Sequence, residues 1–231
     1  MSEPRLCIVI PAYNEGKKLE PVLKAVQTMP ADILVIDDGS SDNTASVAEQ
    51  YAVHLLRHPS NRGKGAAIRT AIDYVLANSY DAALFMDADG QHLPGEVPRF
   101  MDCYRATGAD LILGSRMEDI RAMPWIRKAA NRFSSWVVSR LAGTRVTDSQ
   151  SGFRLLSARL LEDLNRPGSE GFDLESEMII DAVRSGRKYL EVPITCVYAD
   201  EKSHYHPVRD SAGFIGLAIR KALENRPENS S

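Results

Sequence analysis

The sequence has little cysteine, no excess of basic charge and no long apolar run. Its three cysteines, Cys7, Cys103 and Cys196, stand far apart, without CxxC or CxH spacing. That excludes a disulfide framework and a zinc-finger site, and it fits a reducing cytoplasm. Lys and Arg number 28 against 31 Asp and Glu, a net charge of −3. With no basic excess to neutralise a phosphate backbone, no nucleic acid is expected as the main partner. No apolar run approaches the roughly 20 residues that span a bilayer. Residues Met1 to Arg5 lead into a short strand-like run and lack the form of a signal peptide. The expected setting is cytoplasmic, with peripheral association on the cytoplasmic face of a membrane left open. There is no internal repeat.

What the chain does have is a repeated order of apolar strand, polar strand end and amphipathic helix. Its 231 residues, 44% apolar and 26% charged, suffice for one sizeable core. Leu6 to Ile10 is a continuous β-rich run, as expected of a strand buried on both faces. It ends in Pro11-Ala12-Tyr13-Asn14-Glu15-Gly16, and Leu19, Val22, Leu23 and Val26 then keep helical spacing. Ile33 to Ile36 is a second strand, ending in Asp37-Asp38-Gly39-Ser40. Asp42 is placed to cap a helix through Asn43 to Tyr51. A short strand from Val53 to Leu56 leads to Arg62-Gly63-Lys64-Gly65 and a helix to about Ala77. Ala82 to Met86 ends in Asp87-Ala88-Asp89-Gly90-Gln91-His92. A helix near Pro94 to Ala106 and a strand from Asp110 to Leu113, ending in Gly114-Ser115-Arg116, follow.

Strand and helix alternating four times predict an α/β fold: a doubly wound, mostly parallel twisted sheet with helices on both faces. In such sheets ligands bind beyond the carboxyl ends of the strands. The polar clusters all fall there. Asp87 and Asp89 are two residues apart, so in extended backbone their carboxylates face the same side. Two such carboxylates repel unless a cation lies between them. An oxygen-only set of Asp87, Asp89 and Gln91 suits Mg2+ or Mn2+, which completes its shell with water and substrate phosphates.

The later sequence is less regular. Met123 to Ala142 reads as one helix in which Trp125, Phe133, Trp136 and Leu141 interleave with Arg121, Arg127, Lys128, Arg132 and Arg140. Two readings stand, an ordinary core helix and an interfacial helix at a membrane surface. Asp148 to Arg154 is a polar loop entering a strand at Leu155-Leu156, and Gly171 to Glu177 opens another helix. Tyr189 to Tyr198 is a strand interrupted by Pro193, so it belongs at an edge or bulge. Ala199 to His206 is a polar loop, Pro207 to about Asn225 a last amphipathic helix. The expected organisation is one domain over 1–225, with a nucleotide-binding half near 5–116, an acceptor half near 117–225 and a disordered tail at 226–231.

Three segments together carry a family resemblance: Ile10 to Glu15, Ile36 to Thr44, and Met86 to His92. In this order they resemble the family 2 inverting glycosyltransferases of GT-A fold, nearest the dolichol- and polyprenyl-phosphate mannosyltransferase-like branch. Gly114-Ser115-Arg116, Ser151-Gly152-Phe153-Arg154, and Gly171-Phe172 followed by Glu177 match that branch in order. The resemblance implies that Pro11, Tyr13 and Glu15 hold the base and ribose of a GDP- or UDP-sugar donor, with Asp38 contacting the same moiety and the Ala88 backbone near the ribose. It implies Asp87, Asp89 and Gln91 as the metal seat and Arg116 facing the diphosphate or an acceptor phosphate, where a planar guanidinium binds two oxygens. Lys64 begins a helix in a basic loop that either favours anions or is merely solvated. The match breaks after Pro193-Ile194. The branch's Arg is absent, and Lys202 precedes Ser203, so Lys202 stands in as the phosphate cation. His204 and His206 either add a ligand or are surface histidines.

A lipid phosphate acceptor is already anionic and needs no strong base, whereas a hydroxyl must lose its proton to a carboxylate. Asp148, Glu177 and Asp173, in that order, are the candidates. The leading expectation is transfer to a polyprenyl (dolichyl or undecaprenyl) phosphate. The alternatives are a hydroxyl-directed glycosyltransferase making a glycan or glycolipid, a sugar nucleotidyltransferase, and a non-catalytic sugar-nucleotide-binding module. Pro11 to Gly16 is not the Gly-rich basic loop that a nucleotidyltransferase requires.

Overall fold

A computed structural model describes residues 3–117, 125–165 and 174–195. Its centre is one seven-stranded sheet. In chain order the strands are β1 (Leu6–Ala12), β2 (Asp32–Asp37), β3 (His54–Arg57), β4 (Ala82–Phe85), β5 (Leu111–Ser115), β6 (Arg154–Ser157) and β7 (Tyr189–Pro193). The spatial order is β3-β2-β1-β4-β6-β5-β7. β6 runs antiparallel to both neighbours, and the other pairs are parallel. The helices are α1 (Gly16–Val26), α2 (Thr44–Ala48), α3 (Lys64–Ala77), α4 (Val97–Thr107), α5 (Trp125–Ala142), α6 (Ala158–Leu164) and α7 (Leu174–Arg184).

Strand period sorts the core into two layers. Cys7, Val9, Leu34, Ile36, Ala83, Phe85, Leu111 and Leu113 turn to one face and pack with residues of α3, α5, α6 and α7. Their neighbours Ile8, Ile10, Ile33, Val35, Leu84 and Ile112 turn to the other, against α1, α2 and α4. The near-continuous apolar strands follow from this double coverage. Pro11 sits inside a central strand without breaking it. The last bond between β1 and β4 runs from the Met86 N–H to the Val9 carbonyl, and Pro11, two residues on, faces the same side beyond the end of that ladder.

Several boundaries differ from expectation. The helix expected over Asn43 to Tyr51 is only the five residues of α2. The N-cap residue is Asn43 and not Asp42; the Asp42 carboxylate, one position earlier, accepts the N–H groups of both Thr44, at 2.9 Å, and Gly16, at 3.1 Å. One side chain thereby joins the starts of two helices. α6 was not anticipated; Ser157 caps it by accepting the Leu160 N–H, and seven residues are too few to display a period. β7 is an edge strand, as Pro193 implied. The helix expected over 207–225 and the tail at 226–231 lie outside the described residues.

The antiparallel β6 decides what surrounds the carboxyl ends of β4 and β5. Because β6 runs the other way, the loop entering it, 148–153, lies at those ends. At the far side of the site Gly39 takes φ +72°, and a Cβ there would lie 2.3 Å from the Ser60 carbonyl carbon. Gly108 is also left-handed, at φ +58°, but a Cβ would meet nothing within 4 Å. Gly108→Ala should cost about 1–2 kcal/mol, the price of the left-handed backbone alone. Gly39→Ala should cost at least about 1 kcal/mol more, because two backbones must separate. Urea unfolding of the two variants checks this; equal losses would refute the close approach.

Candidate active site

The ends of β1 and β2 are tied together first. Asn14, left-handed at φ 54°, donates its N–H to Ser40 Oγ and accepts the Ser41 N–H at its side chain, both at 2.9 Å. The Glu15 N–H donates to Thr44 Oγ1, and its carboxylate pairs with Lys18 at 3.2 Å. Tyr13 is left out of this lattice and is 46% exposed, so its ring offers an accessible face. Pro11 lies just behind it, half-buried.

The two carboxylates that end β2 and follow it are buried and committed. Asp37 accepts the Ser40 N–H and lies 3.0 Å from Arg57 Nε, in ion-pair rather than hydrogen-bond geometry. Asp38 accepts from His58 Nδ1 at 2.6 Å and from the N–H groups of Arg62 at 3.0 Å and Gly63 at 2.7 Å. Asp38 therefore organises the loop before α3.

That loop launches Lys64 toward β4. The Lys64 ammonium lies 2.7 Å from Asp87 Oδ1 and 3.0 Å from Glu175 Oε1 on α7. Burial alone would raise the Asp87 pKa, but the charge of Lys64, with help from His92, holds it well below the usual carboxylate range. Burial alone would lower Lys64, and the Asp87 and Glu175 charges raise it instead. His92 is buried against Phe153, their rings 5.2 Å apart. Burial lowers its pKa despite Asp87 and Asp89, and its Nδ1 accepts the Asp87 N–H at 3.2 Å. On the other flank Gly152 leaves no room, since a Cβ would lie 2.4 Å from Asp87 Oδ2.

Asp89 is placed differently. It is half-buried beside the buried Ala88, and its Oδ1 accepts the Gln91 N–H at 2.9 Å. Asp89 and Gln91 thus offer oxygen donors on a short loop past β4. Among the described residues no three His, Cys, Asp or Glu side chains form a metal cage. Mg2+ or Mn2+ held beside substrate phosphates needs only one or two carboxylates, so the donor set fits such an ion.

A second ion pair faces this loop from β5. Asp148, fully buried, accepts Arg116 Nε and a terminal guanidinium N–H at 2.7 Å each, the Arg116 main-chain N–H at 3.0 Å and Asn131 Nδ2 at 2.8 Å. Burial raises the Asp148 pKa, and the Arg116 bonds and charge more than reverse that, leaving it lowered. A carboxylate so engaged is a weak general base and a strong clamp on Arg116.

The strand ends singled out in the sequence do lie together at one side of the sheet. Sequence reasoning named Glu177 as a candidate base; the acid that meets Lys64 is Glu175, and two residues apart on a helix the two point to different sides. It missed His58 as the partner of Asp38, a contact between β2 and the loop after β3 that no local pattern announces. It also missed Asn131, hidden as one polar residue in an aromatic and basic helix. Asp173, Lys202, His204 and His206 lie outside the described residues.

The Arg116–Asp148 pair has a pH signature. Its folded carboxyl pKa lies below the unfolded value, so its contribution to stability is complete above about pH 4 and is lost as pH falls through the lower folded value. Asp148→Asn should cost about 3–5 kcal/mol at pH 7, as breaking a buried pair does, and the gap from wild type should narrow in acid. Chemical denaturation from pH 7 to pH 2 measures it; a pH-independent gap would contradict the pairing.

Comparison with known proteins gives the family. The family model described as "Glycosyl transferase family 2" matches residues 7–164. The polyprenol monophosphomannose synthase of Mycolicibacterium smegmatis is 35% identical over 208 residues, covering 83% of this chain and 77% of its own. The undecaprenyl-phosphate mannosyltransferase of Micrococcus luteus is 32% identical over 227 residues, covering 93% and 91%. Among solved structures, glucosyl-3-phosphoglycerate synthase from Mycobacterium tuberculosis, in complex with Mn2+, uridine diphosphate and phosphoglyceric acid, superposes with a TM-score of 0.71 at 21% identity, covering 98% of this chain and 80% of its own. At that identity it speaks for the GT-A fold alone. The chain belongs to family 2 of the glycosyltransferases and, within it, resembles the dolichol- and polyprenyl-phosphate mannosyltransferase-like branch.

Proposed function

We propose that the protein is a metal-dependent inverting glycosyltransferase that moves a sugar from a GDP- or UDP-sugar to a polyprenyl phosphate at a membrane surface. The observation that carries the choice of acceptor is the Arg116–Asp148 pair. With both Asp148 oxygens bonded to neighbours, the first candidate for deprotonating a hydroxyl is already engaged. A phosphate acceptor needs no such base, and Arg116 offers it a held guanidinium.

The remaining residues divide the work. Tyr13 lends an exposed ring to the base, and Pro11, Glu15 and the Ala88 backbone border the ribose. Lys64 supplies fixed positive charge beside the diphosphate. Asp89 and Gln91 would hold Mg2+ or Mn2+, with Asp87, neutralised by Lys64, bordering it. The chemistry such an ion supplies is neutralisation of charge developing on the departing nucleotide diphosphate. The acceptor oxygen attacks the anomeric carbon from the face opposite that leaving group, which inverts its configuration. The relatives named for polyprenyl- and undecaprenyl-phosphate mannose transfer support the acceptor, and a relative from Methanococcus voltae, 29% identical and named for transfer of N-acetylglucosamine from a UDP-sugar to dolichyl phosphate, keeps the donor open.

α5 supports the membrane setting. On its buried side Asn131, Ser134 and Ser135 face Asp148 and Ser149, and Val138 and Ala142 continue into the apolar core. Its outer side carries Trp125, Phe133 and Trp136, exposed by 78%, 60% and 56%. At 100° per residue these three fall within an arc of about 80°, joined by Arg132 and by Arg140, whose guanidinium covers the Trp136 ring at 5.6 Å. Aromatic and basic groups on one face suit a bilayer interface with anionic headgroups. An open groove of about 860 Å³, lined by Met117, Thr147, Trp136, Arg140 and Arg145, runs beside this helix from the residues next to Arg116 and Asp148. Among the described residues no helix is long and apolar enough to cross a membrane.

Incubation of the protein with mixed sugar nucleotides, Mn2+ and undecaprenyl phosphate should yield a glycosyl phospholipid by mass spectrometry, and EDTA should abolish it. Transfer only to hydroxyl acceptors would overturn the reading. Replacing Trp125, Phe133 and Trp136 together by Ser should weaken sedimentation with anionic vesicles at least about tenfold, since each aromatic buries a large apolar area. Soluble-donor binding should persist; unchanged sedimentation would detach α5 from the membrane.

A further inference from the structure

His58 is buried, 6% exposed, and no step above uses it. It follows β3, and its N–H extends the ladder by donating to the Asp37 carbonyl at 2.9 Å. Its Nδ1 stands 2.6 Å from Asp38 Oδ1, and its Nε2 stands 2.9 Å from Thr70 Oγ1 in the body of α3. The carboxylate can only accept, so Nδ1 carries a hydrogen toward Asp38, and Nε2 shares a hydrogen bond with the threonine hydroxyl. The ring therefore links the end of β2 to α3 across the loop that joins β3 to that helix.

Asp38 passes the constraint on. Besides His58 it receives the N–H groups of Arg62 and Gly63, the two residues before Lys64. Gly63 is left-handed at φ +89°, and its carbonyl accepts the N–H groups of Ala66 and Ala67. Where Gly63 is pinned, α3 begins, and the Lys64 side chain starts from there to reach Asp87 and Glu175. The close approach of Gly39 to Ser60 and Asn61 holds the middle of the same loop. Every link from His58 to Asp87 is thus a short polar contact or a peptide bond.

We propose that His58 is a positioning residue for sugar transfer, acting through Asp38 and the Arg62–Gly63 backbone on the placement of the Lys64 ammonium. The proposal rests on the transferase reading, in which Lys64 serves the donor's diphosphate. It also changes the part of Asp38: this carboxylate sets the phosphate-side lysine instead of contacting the base. Because the loop crosses from the β3 edge of the sheet toward β4, the relay lets the far edge of the sheet govern charge at its centre.

The test is a double-mutant cycle with two readouts. His58→Ala should lower kcat/KM for the sugar-nucleotide donor by about 10- to 100-fold at equal folded fraction, the range expected of a displaced charged group. In a Lys64→Met background the same substitution should lower it no further, although it should lower the melting temperature equally in both backgrounds. His58→Asn, whose amide can donate where Nδ1 does, should recover much of the loss. Amide hydrogen exchange at Arg62 and Gly63 should quicken in His58→Ala and slow again in His58→Asn. Equal fold-losses of activity in both backgrounds, or unchanged exchange at Gly63, would overturn the relay. If His58→Ala does not fold, Thr70→Val enters the same cycle, because it releases the ring from α3. Absence of turnover in the wild-type protein would fail the transferase reading instead, and the exchange result would still decide whether His58 holds the loop.

Discussion

A lysine ammonium between two carboxylates sets the geometry on which the site depends. Lys64 reaches Asp87 beyond β4 and Glu175 on α7, two groups 88 positions apart in the chain. Without it, two acids would face each other beside a third, Asp89. With it, the loop after β4 is neutralised on its inner side, while Asp89 and Gln91 stay half-buried beyond it. The same ammonium joins the start of α3 to the loop after β4 and to α7.

Each flank of this contact has its own support, and the supports are of different kinds. His92 receives the Asp87 N–H and stacks on Phe153, which in turn packs on Phe100 with ring centroids 4.6 Å apart. Gly152 presses its backbone against the Asp87 carboxylate, at a distance no larger residue permits. Arg154, buried at the start of β6, donates to the Ser151 carbonyl and the Glu175 carbonyl. Packing, absence of a side chain and main-chain hydrogen bonds therefore converge on one loop, which leaves a bound phosphate or ion little reorganisation to drive.

Transfer to a lipid phosphate, as proposed, asks that one anion leave while another arrives, and two separate cations are placed to meet them. Under the proposed function Lys64 would serve the donor side and Arg116 the acceptor side. The two differ in how they are held: Lys64 reaches its partners from a helix start as a point charge, whereas Arg116 is gripped in a fork by a fully buried carboxylate. On this reading α5 completes the division, with a polar face that supports the Asp148 clamp and an aromatic face turned to a lipid surface.

Much of the fold was legible in the residue order. The apolar runs at Leu6, Ile33 and Ala82 are long enough, and the helical stripes regular enough, to predict a doubly wound sheet, and Asp37, Asp87 and Arg116 mark strand ends because polar residues stop an apolar run abruptly. The sequence by itself determined that a mostly parallel sheet would gather these ends on one side, since every strand-to-helix turn of such a sheet lies there. Only the tertiary structure decided which charges neutralise one another. The partners of Asp38, Asp87 and Asp148 lie 20, 23 and 32 positions away along the chain, counting His58, Lys64 and Arg116. Local periodicity carries no information over such distances. The antiparallel insertion of β6, which puts Gly152 on Asp87, is likewise a fact of strand pairing that four buried residues cannot announce.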